Sequence, residues 1–286
     1  MENLLVATDF SVRSDRATRR AALLARKLGA KLNLVHVIDN DLPARLLADE
    51  RATASFLLEE TVQTFGANDR IDADWQVIVD DPYVGILAAA DDISADLIII
   101  GPHRRRLRDV FVGTTAERVV RQSSRPLLVA VDTPSSDHHH TLLALDFDKA
   151  SKSAARHALA MGVFDHTNVV VMHAFDAPAE HLLRRSFEPA TSVAQYVEGE
   201  RELAAAKLRD LLRDLGLPPT CQTVVSITGS PARTILESAR GVGSDLIVVG
   251  TNKREGFERM LIGSVTADII REAQRDLLII PVDAET

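Results

Sequence analysis

Short apolar runs alternate with amphipathic stretches along the whole chain. The apolar runs in the first part are rich in Val, Ile and Leu, and they occupy Leu4–Ala7, Leu32–Ile38, Leu97–Ile100 and Leu127–Val131. Near-continuous apolar runs of this length are typical of parallel strands covered on both faces. Between them, apolar residues recur with helical spacing. The alternation predicts an α/β protein with doubly wound parallel sheets.

The same pattern occurs twice in the chain. "NLLVATDFS" near the start matches "TLLALDFDK" further on, which pairs Asp9 with Asp146. "ADLIIIG" matches "SDLIVVG", which pairs Gly101 with Gly250. The second offset is larger by about twelve residues, so the second copy carries an insertion. Matching blocks in the same order indicate a tandem duplication.

The duplication predicts two domains and a connection between them. We expect domain 1 at residues 1–133 and domain 2 at residues 140–286, with five strands and four helices each. Residues 134–139 are short, polar and contain Pro and Ser, which is typical of a linker. In the second domain, apolar residues at helical spacing also predict a long amphipathic helix that ends before Gly216.

Composition narrows the class of protein. The 286 residues carry a formal net charge of −8, which argues against general nucleic-acid binding. No apolar run approaches the ~20 residues that span a bilayer. The single cysteine, Cys221, excludes an internal disulfide and fits a reducing compartment. We therefore expect a cytoplasmic protein with no membrane and no nucleic-acid partner.

Candidate binding residues follow from the fold class. Ligands of doubly wound sheets bind beyond the carboxyl ends of the strands, at a topological switch point. The carboxylates there could bond a ligand or could only stabilise the strand-to-helix turn, and the sequence leaves both roles open. The predicted ends hold Asp9, Val37 and Gly101 in the first copy, and Asp146, Ala174 and Gly250 in the second.

These motifs together resemble a known family. The strand "LLVATDFS", the strand "LVHVID", the segment "ADLIIIG" with its glycine loop, and "SRPLLVAV" resemble a tandem universal stress protein over almost every residue outside the linker. The resemblance implies Rossmann-like sheets of the adenine nucleotide alpha hydrolase-like type, with strand order 3-2-1-4-5. It also implies an intrachain pseudo-dimer, in which Leu127–Val131 pairs with Leu277–Pro281. A homodimer is left open.

The resemblance further implies a phosphate-binding loop after strand four, spaced Gly, two residues, Gly, nine residues, Gly, then Ser or Thr. The second copy holds this spacing except for Lys253, which stands at the second glycine position. The first copy carries Arg104 there and is one residue shorter. Glycines admit close approach of amides to phosphate and positive φ. The implied loop residues are Gly250, Lys253, Gly263, Ser264 and Val265, and in the first copy Gly101, Gly113 and Thr114.

The implied ligand is ATP, AMP or another adenine nucleotide, bound reversibly and mainly in domain 2, with Mg²⁺ as a counter-ion left open. Lys253 either obstructs phosphate or supplies charge to it. The alternative is a nucleotide-free interaction protein whose altered loops serve domain packing or partner docking. A role in general stress response follows from the resemblance alone.

Other chemistry has little support in the sequence. The turn after the first strand lacks glycine, and no Walker A motif or nucleophile elbow is present, so we expect no enzyme, with slow ATP hydrolysis left open. His36 and His173 lie in apolar strands and are expected to be packed in the core. The run His138–His140 is not expected to form a metal site.

Overall fold

The computed structural model of the protein describes residues 1–102, 115–186, 189–227, 229–252 and 263–282. The first half of the described chain contains β1 Asn3–Ala7, α1 Val12–Leu28, β2 Lys31–Ile38, α2 Ala44–Thr64, β3 Ala73–Val79, α3 Pro82–Asp92, β4 Leu97–Ile100, α4 Thr115–Gln122 and β5 Leu127–Val129. The second half contains β6 His140–Ala144, α5 Lys149–Ala160, β7 Asn168–Phe175, α6 Glu180–Arg185, α7 Ala190–Asp214, β8 Gln222–Ser226, α8 Pro231–Gly241, β9 Leu246–Asn252, α9 Ser264–Glu272 and β10 Asp276–Val282.

These strands form one ten-stranded sheet in the order β3-β2-β1-β4-β5-β10-β9-β6-β7-β8. Within each half every pairing is parallel, and the order read from the edge is 3-2-1-4-5 in both. The halves meet where β10 pairs with β5 in antiparallel register, with Leu278 opposite Leu128. The predicted strand order and the predicted pairing of the closing strands are therefore confirmed.

The helices cover both faces of the sheet, as a doubly wound fold requires. Helices α1, α2, α5 and α7 supply one apolar core, which includes Leu24, Leu58 and Leu208. Helices α3, α4, α8 and α9 supply the other, which includes Ile86 and Ile235. Each core contains buried residues from both halves. The hydrophobic interior is consequently continuous across the β5–β10 seam.

Helix ends follow the local sequence. Pro82 and Pro231 each occupy the first turn of their helix, and Asp81 and Ser230 cap those helices by accepting backbone hydrogen bonds. The long helix α7 ends before Gly216, which adopts the left-handed region at φ +70°. These three helix ends confirm the sequence prediction.

One prediction about the second half needs correction. Its described residues hold five helices rather than four, because the inserted residues include the short helix α6. Cys221 ends a 3₁₀ turn at Pro219–Cys221 just before β8. Within the part of the chain that the structure describes, no helix combines the length and apolar character needed to cross a bilayer.

A buried polar cluster links the two halves at the β5–β10 seam. The Asp276 carboxylate is fully buried, and it accepts hydrogen bonds from Arg20 Nε at 2.8 Å and from His138 Nε2 at 2.9 Å. It also accepts the backbone N–H groups of Val131 and Asp132 at 2.8 and 2.9 Å. One side chain of β10 thus joins α1, the end of β5 and the connection between the halves. His138, which lies in the predicted linker, is buried rather than solvated.

Candidate functional site

Each half forms a cleft at the carboxyl ends of its strands. In both, the cleft opens between the first strand and the fourth, where the chain order of the sheet reverses. Cleft two, in the second half, has a volume of about 330 Å³. Among its lining residues are four of the predicted site residues, namely Asp146, Ala174, Gly250 and Val265.

Cleft one, in the first half, has a similar volume of about 350 Å³. It is lined by the predicted residues Asp9, Val37 and Gly101. The predictions for Gly113, Thr114 and Lys253 lie outside the described residues. The topology therefore brings together the candidates at the strand ends in both halves, as expected for a switch point.

The first glycine of each loop packs against a helix. A methyl group at Gly250 would lie 2.9 Å from the Cβ of Ala154, and one at Gly101 would lie 2.7 Å from the carbonyl oxygen of Arg13. Neither glycine has positive φ, and Gly263 has φ −56°. Positive φ is therefore not the reason for glycine at these three positions. Close packing of β4 on α1 and of β9 on α5 is what requires glycine at the first loop position.

Gly263 and Ser264 stand at the start of α9, beside cleft two. Gly263 is the N-cap residue of α9, and it has no side chain to cap the helix. Among the described residues, no side chain accepts a hydrogen bond from the amides of the first turn. Val265 and Thr266 in that turn line the cleft, and Thr266 Oγ1 donates to the carbonyl of Gly250 at 3.4 Å. An uncapped helix start with its positive dipole end suits an anion.

The carboxylates at the ends of the first strands stabilise the turns that follow. Asp9 accepts the amide of Ser11 at 3.0 Å, and Asp146 accepts the amide of Phe147 at 2.8 Å. Their own amides donate to the hydroxyls of Ser14 and Ser151. The turn-stabilising role is thus present in both halves, and a ligand role for either carboxylate stays a prediction.

The surroundings of Asp9 also favour the ionised form of its carboxyl group. Burial raises the pKa of this carboxyl, but hydrogen bonds from Ser11 and Ser14 and the positive charge of Arg13 together lower the pKa by more than burial raises it. The pKa of Asp9 therefore lies below its ordinary value. Cleft one accordingly keeps a negative charge at the end of β1 throughout the neutral range.

The two strand histidines are packed residues, as predicted. His36 Nδ1 lies 2.8 Å from the carbonyl of Thr8, and His173 Nδ1 lies 3.0 Å from that of Leu145, so each nitrogen donates its proton to the end of the first strand. Both rings are buried. Phe10 lies over His36 with ring centroids 4.6 Å apart, and Phe147 lies over His173 at 4.0 Å.

Sequence reasoning missed several residues of the clefts. Ser14 and Ser151 are separated by the same offset as Asp9 and Asp146, so the repeat itself could have identified them. Arg13 lines cleft one where its counterpart in cleft two is alanine, which no motif signals. The apolar wall of cleft two comes from several elements and is formed by Met172, Ile227, Ile235 and Val249.

No metal centre is apparent in the described ranges. Among those residues, no group of three or more His, Cys, Asp or Glu side chains is placed to hold an ion. His138 bonds Asp276 instead, and His139 Nε2 lies 3.2 Å from Ser136 Oγ. The three consecutive histidines thus have separate surroundings.

Comparisons with known proteins agree with this architecture. A universal stress protein of Mycolicibacterium smegmatis is 23% identical over 297 residues, which cover 97% of this chain and 96% of that protein. A universal stress protein of Synechocystis is 26% identical over 149 residues, covering 49% of this chain and 95% of that protein. The crystal structure of a universal stress protein from Archaeoglobus fulgidus superposes with a TM-score of 0.69 at 18% identity, covering 98% of both chains.

The family model gives the same result twice along the sequence. The model of the universal stress protein family matches residues 1–131 and again residues 138–281. The two matches take in nearly the whole chain, and they coincide with the two halves of the sheet. The chain therefore belongs to the universal stress protein family, with two such domains in tandem.

Proposed function

We propose that cleft two binds an adenine nucleotide reversibly. The observation that carries the proposal is one continuous cleft in which an apolar slot at the strand ends adjoins the uncapped start of α9. A flat apolar base and an anionic phosphate chain need these two surroundings side by side. Membership of the family supports a part in stress response, which we include in the proposal.

The nucleoside end would occupy the apolar slot. Met172, Ile235 and Val249 offer apolar contacts, while the small side chain of Ala174 leaves room for a base between them. Asp146 lies at the mouth of the slot with an exposed side chain. Its second carboxylate oxygen could accept a hydrogen bond from a ribose hydroxyl without giving up the bond to the turn.

The phosphate end would meet the first turn of α9. Backbone amides near Val265 and the hydroxyl of Ser264 are donors of the kind that phosphate oxygens accept. Asp146 and Asp148 line the cleft and would repel phosphate, and no Lys or Arg is among its described lining residues. We therefore assign the missing positive charge to Lys253 or to a Mg²⁺ ion that accompanies the nucleotide.

Cleft one differs enough to favour cleft two. Arg13 lines it where Ala150 lines cleft two, so both the charge and the free space beside the first strand are altered. Asp81 and Arg118 form an ion pair at 3.1 Å near its rim, and the guanidinium of Arg118 lies 3.8 Å from the centre of the Tyr83 ring. We propose that one nucleotide binds per chain.

A nucleotide-free interaction protein is the second candidate. The observation in its favour is that Gly101 and Gly250 are needed for helix packing. These glycines would persist in the sequence even if no phosphate ever approached them. Under this proposal the clefts are by-products of the fold, and partner proteins bind elsewhere.

Titration with Mg-ATP distinguishes the two candidates. Val265→Trp would place a large ring at the start of α9 in cleft two, and Thr115→Trp would do the same at the start of α4 in cleft one. We expect the heat of binding to disappear in the first variant and to persist in the second. Equal binding by both variants and the unchanged protein would contradict the assignment to cleft two. Because we propose binding without turnover, ADP should not accumulate during the titration.

A further inference from the structure

A third open cavity lies between α1 and α2, next to cleft one, with which it shares the lining residues Thr8 and Ser11. We call it the α1–α2 groove, because it runs between α1 and the second half of α2, bordered by the β1–α1 loop. Its volume is about 570 Å³, within the range of small-molecule sites. The residues that matter below are Phe10, Val12, Asp15, Leu57, Glu60 and Thr61.

The groove combines exposed apolar surface with negative charge. Phe10 is 40% exposed and Val12 is 77% exposed. Asp15 and Glu60 contribute carboxylates, and no Lys, Arg or His is among the described lining residues. Asp15 pairs with Arg19 outside the groove at 3.0 Å, whereas Glu60 has no ion-pair partner among the described residues. The surface is complementary to a group that is apolar and cationic.

The second half of the same chain shows what fills the corresponding space. Helices α2 and α7 align so that Leu58 matches Leu208, and both leucines are fully buried. In this alignment Thr61 matches Leu211, which is 2% exposed, and the larger side chain takes the volume that threonine leaves open. Leu57 matches Lys207.

The two halves also differ in what lies over the aromatic ring beside this space. Phe10 and Phe147 occupy the same repeat position. Lys207 places its ammonium 5.8 Å from the centre of the Phe147 ring, within the range of a cation–π contact. No described Lys or Arg lies over the Phe10 ring, and the Phe10 backbone adopts φ +56°, which is uncommon for a non-glycine residue. The second half thus supplies from its own chain an aliphatic group and an ammonium that the described residues of the first half do not supply at this position.

We propose that the α1–α2 groove binds an aliphatic organic cation, of the class of diamines and polyamines. Its alkyl chain lies along Leu57 and Val12, in the volume left by Thr61. One ammonium lies over the Phe10 ring, and the carboxylates of Asp15 and Glu60 receive the charged ends. This site is separate from the nucleotide site proposed above, because it lies in the other half of the chain and shares no lining residue with cleft two.

Calorimetric titration of the full chain with cadaverine and with spermidine tests the proposal. We expect both to bind, with ammonium chloride (the charge without the chain) and pentanol (the chain without the charge) each giving no saturable signal. Saturable binding of neither amine, or equal binding of ammonium alone, would overturn the proposal.

Variants locate the site. Thr61→Leu copies the second half and should abolish binding while leaving every charge in place. Glu60→Gln and Asp15→Asn should each weaken binding about two- to five-fold, as loss of one exposed charge contact does. Glu50→Gln, on α2 but outside the groove, is the matched control and should bind like the unchanged protein.

The control variant Glu50→Gln distinguishes binding in the groove from a general response to net charge. If Glu50→Gln weakens binding as much as Glu60→Gln, the amines respond only to net charge, and the proposal fails. If Thr61→Leu does not fold, Leu57→Lys replaces it, since this change supplies the chain's own ammonium in the manner of Lys207. If amine binding is unchanged in whichever of Thr61→Leu and Leu57→Lys folds, the site lies elsewhere and the proposal is contradicted.

Discussion

Removing the charge of Asp276 should strongly destabilise the protein. Asp276→Asn keeps the size of the side chain but leaves the guanidinium of Arg20 without a counter-charge, and the Arg20 side chain is only 5% exposed. Breaking a buried ion pair by removing one partner costs about 3–5 kcal/mol. Since domains are stable by roughly 5–15 kcal/mol, this loss is a large fraction of the total.

Urea unfolding at neutral pH measures the effect. Asp245→Asn is the matched control, because Asp245 also accepts two backbone amides near the seam, at 2.8 and 3.0 Å, but forms no ion pair with any cation among the described residues. We expect the control to cost about 1.5–3 kcal/mol, the range for hydrogen bonds to a charged group. A cost for Asp276→Asn no greater than that of the control would refute the reasoning that the buried charge pair dominates.

The same carboxylate makes the seam sensitive to acid. Burial raises the pKa of Asp276, but the hydrogen bond from His138 and the charge of Arg20 lower it more, so the pKa lies below its ordinary value. A lowered folded-state pKa gives stability that is fully present above the unfolded-state pKa, about 3.9 for Asp. That stability is lost as the pH falls through the folded-state value. The urea concentration at the unfolding midpoint should decrease once the pH falls below about 4. The decrease should be less steep in Asp276→Asn.

Three further changes test other parts of the structure. Gly250→Ala should lower stability by about 1–3 kcal/mol through overpacking on Ala154, and adding Ala154→Gly should recover part of the loss in thermal melts. Lys253→Gly should weaken Mg-ATP binding about ten-fold in calorimetry if the side chain supplies charge to phosphate, and stronger binding would show that it obstructs the loop. Burial and the charge of Asp276 raise the pKa of Asp132, so its ionised form is disfavoured in the fold and stability is lost as pH rises through that pKa. Asp132→Asn should therefore raise the neutral-pH urea midpoint, and a lower midpoint would contradict this sign.

The topology was predictable because the repeat carries it. The four apolar runs of the first copy, each followed within two residues by glycine or aspartate, indicate parallel strands and helix starts without reference to tertiary contacts. The caps at Asp81 and Ser230 are similarly local, since a proline in the next position fixes the first helical turn. The order of strands and the β5–β10 pairing needed the family resemblance, because no local pattern encodes which edges meet.

The features that escaped prediction depend on contacts between distant residues. Asp276 stands where the first copy has Pro126, a polar residue at the start of an apolar strand, yet its partners Arg20 and His138 are far away in sequence. The need for glycine at Gly250 arises from Ala154 on another helix. The α1–α2 groove lies beside Thr61, at the position where the second half has the buried Leu211. Comparing the two copies position by position would have revealed the last of these.

The nucleotide content of freshly purified protein tests the central claim most directly. The protein is denatured in acid, and the released extract is separated by chromatography and quantified per chain, with Val265→Trp purified in parallel. We predict up to one adenine nucleotide per chain for the unchanged protein, restored to one by incubation with Mg-ATP, and none for Val265→Trp. No nucleotide in either sample, before or after incubation, would contradict nucleotide binding and leave the interaction-protein alternative in its place.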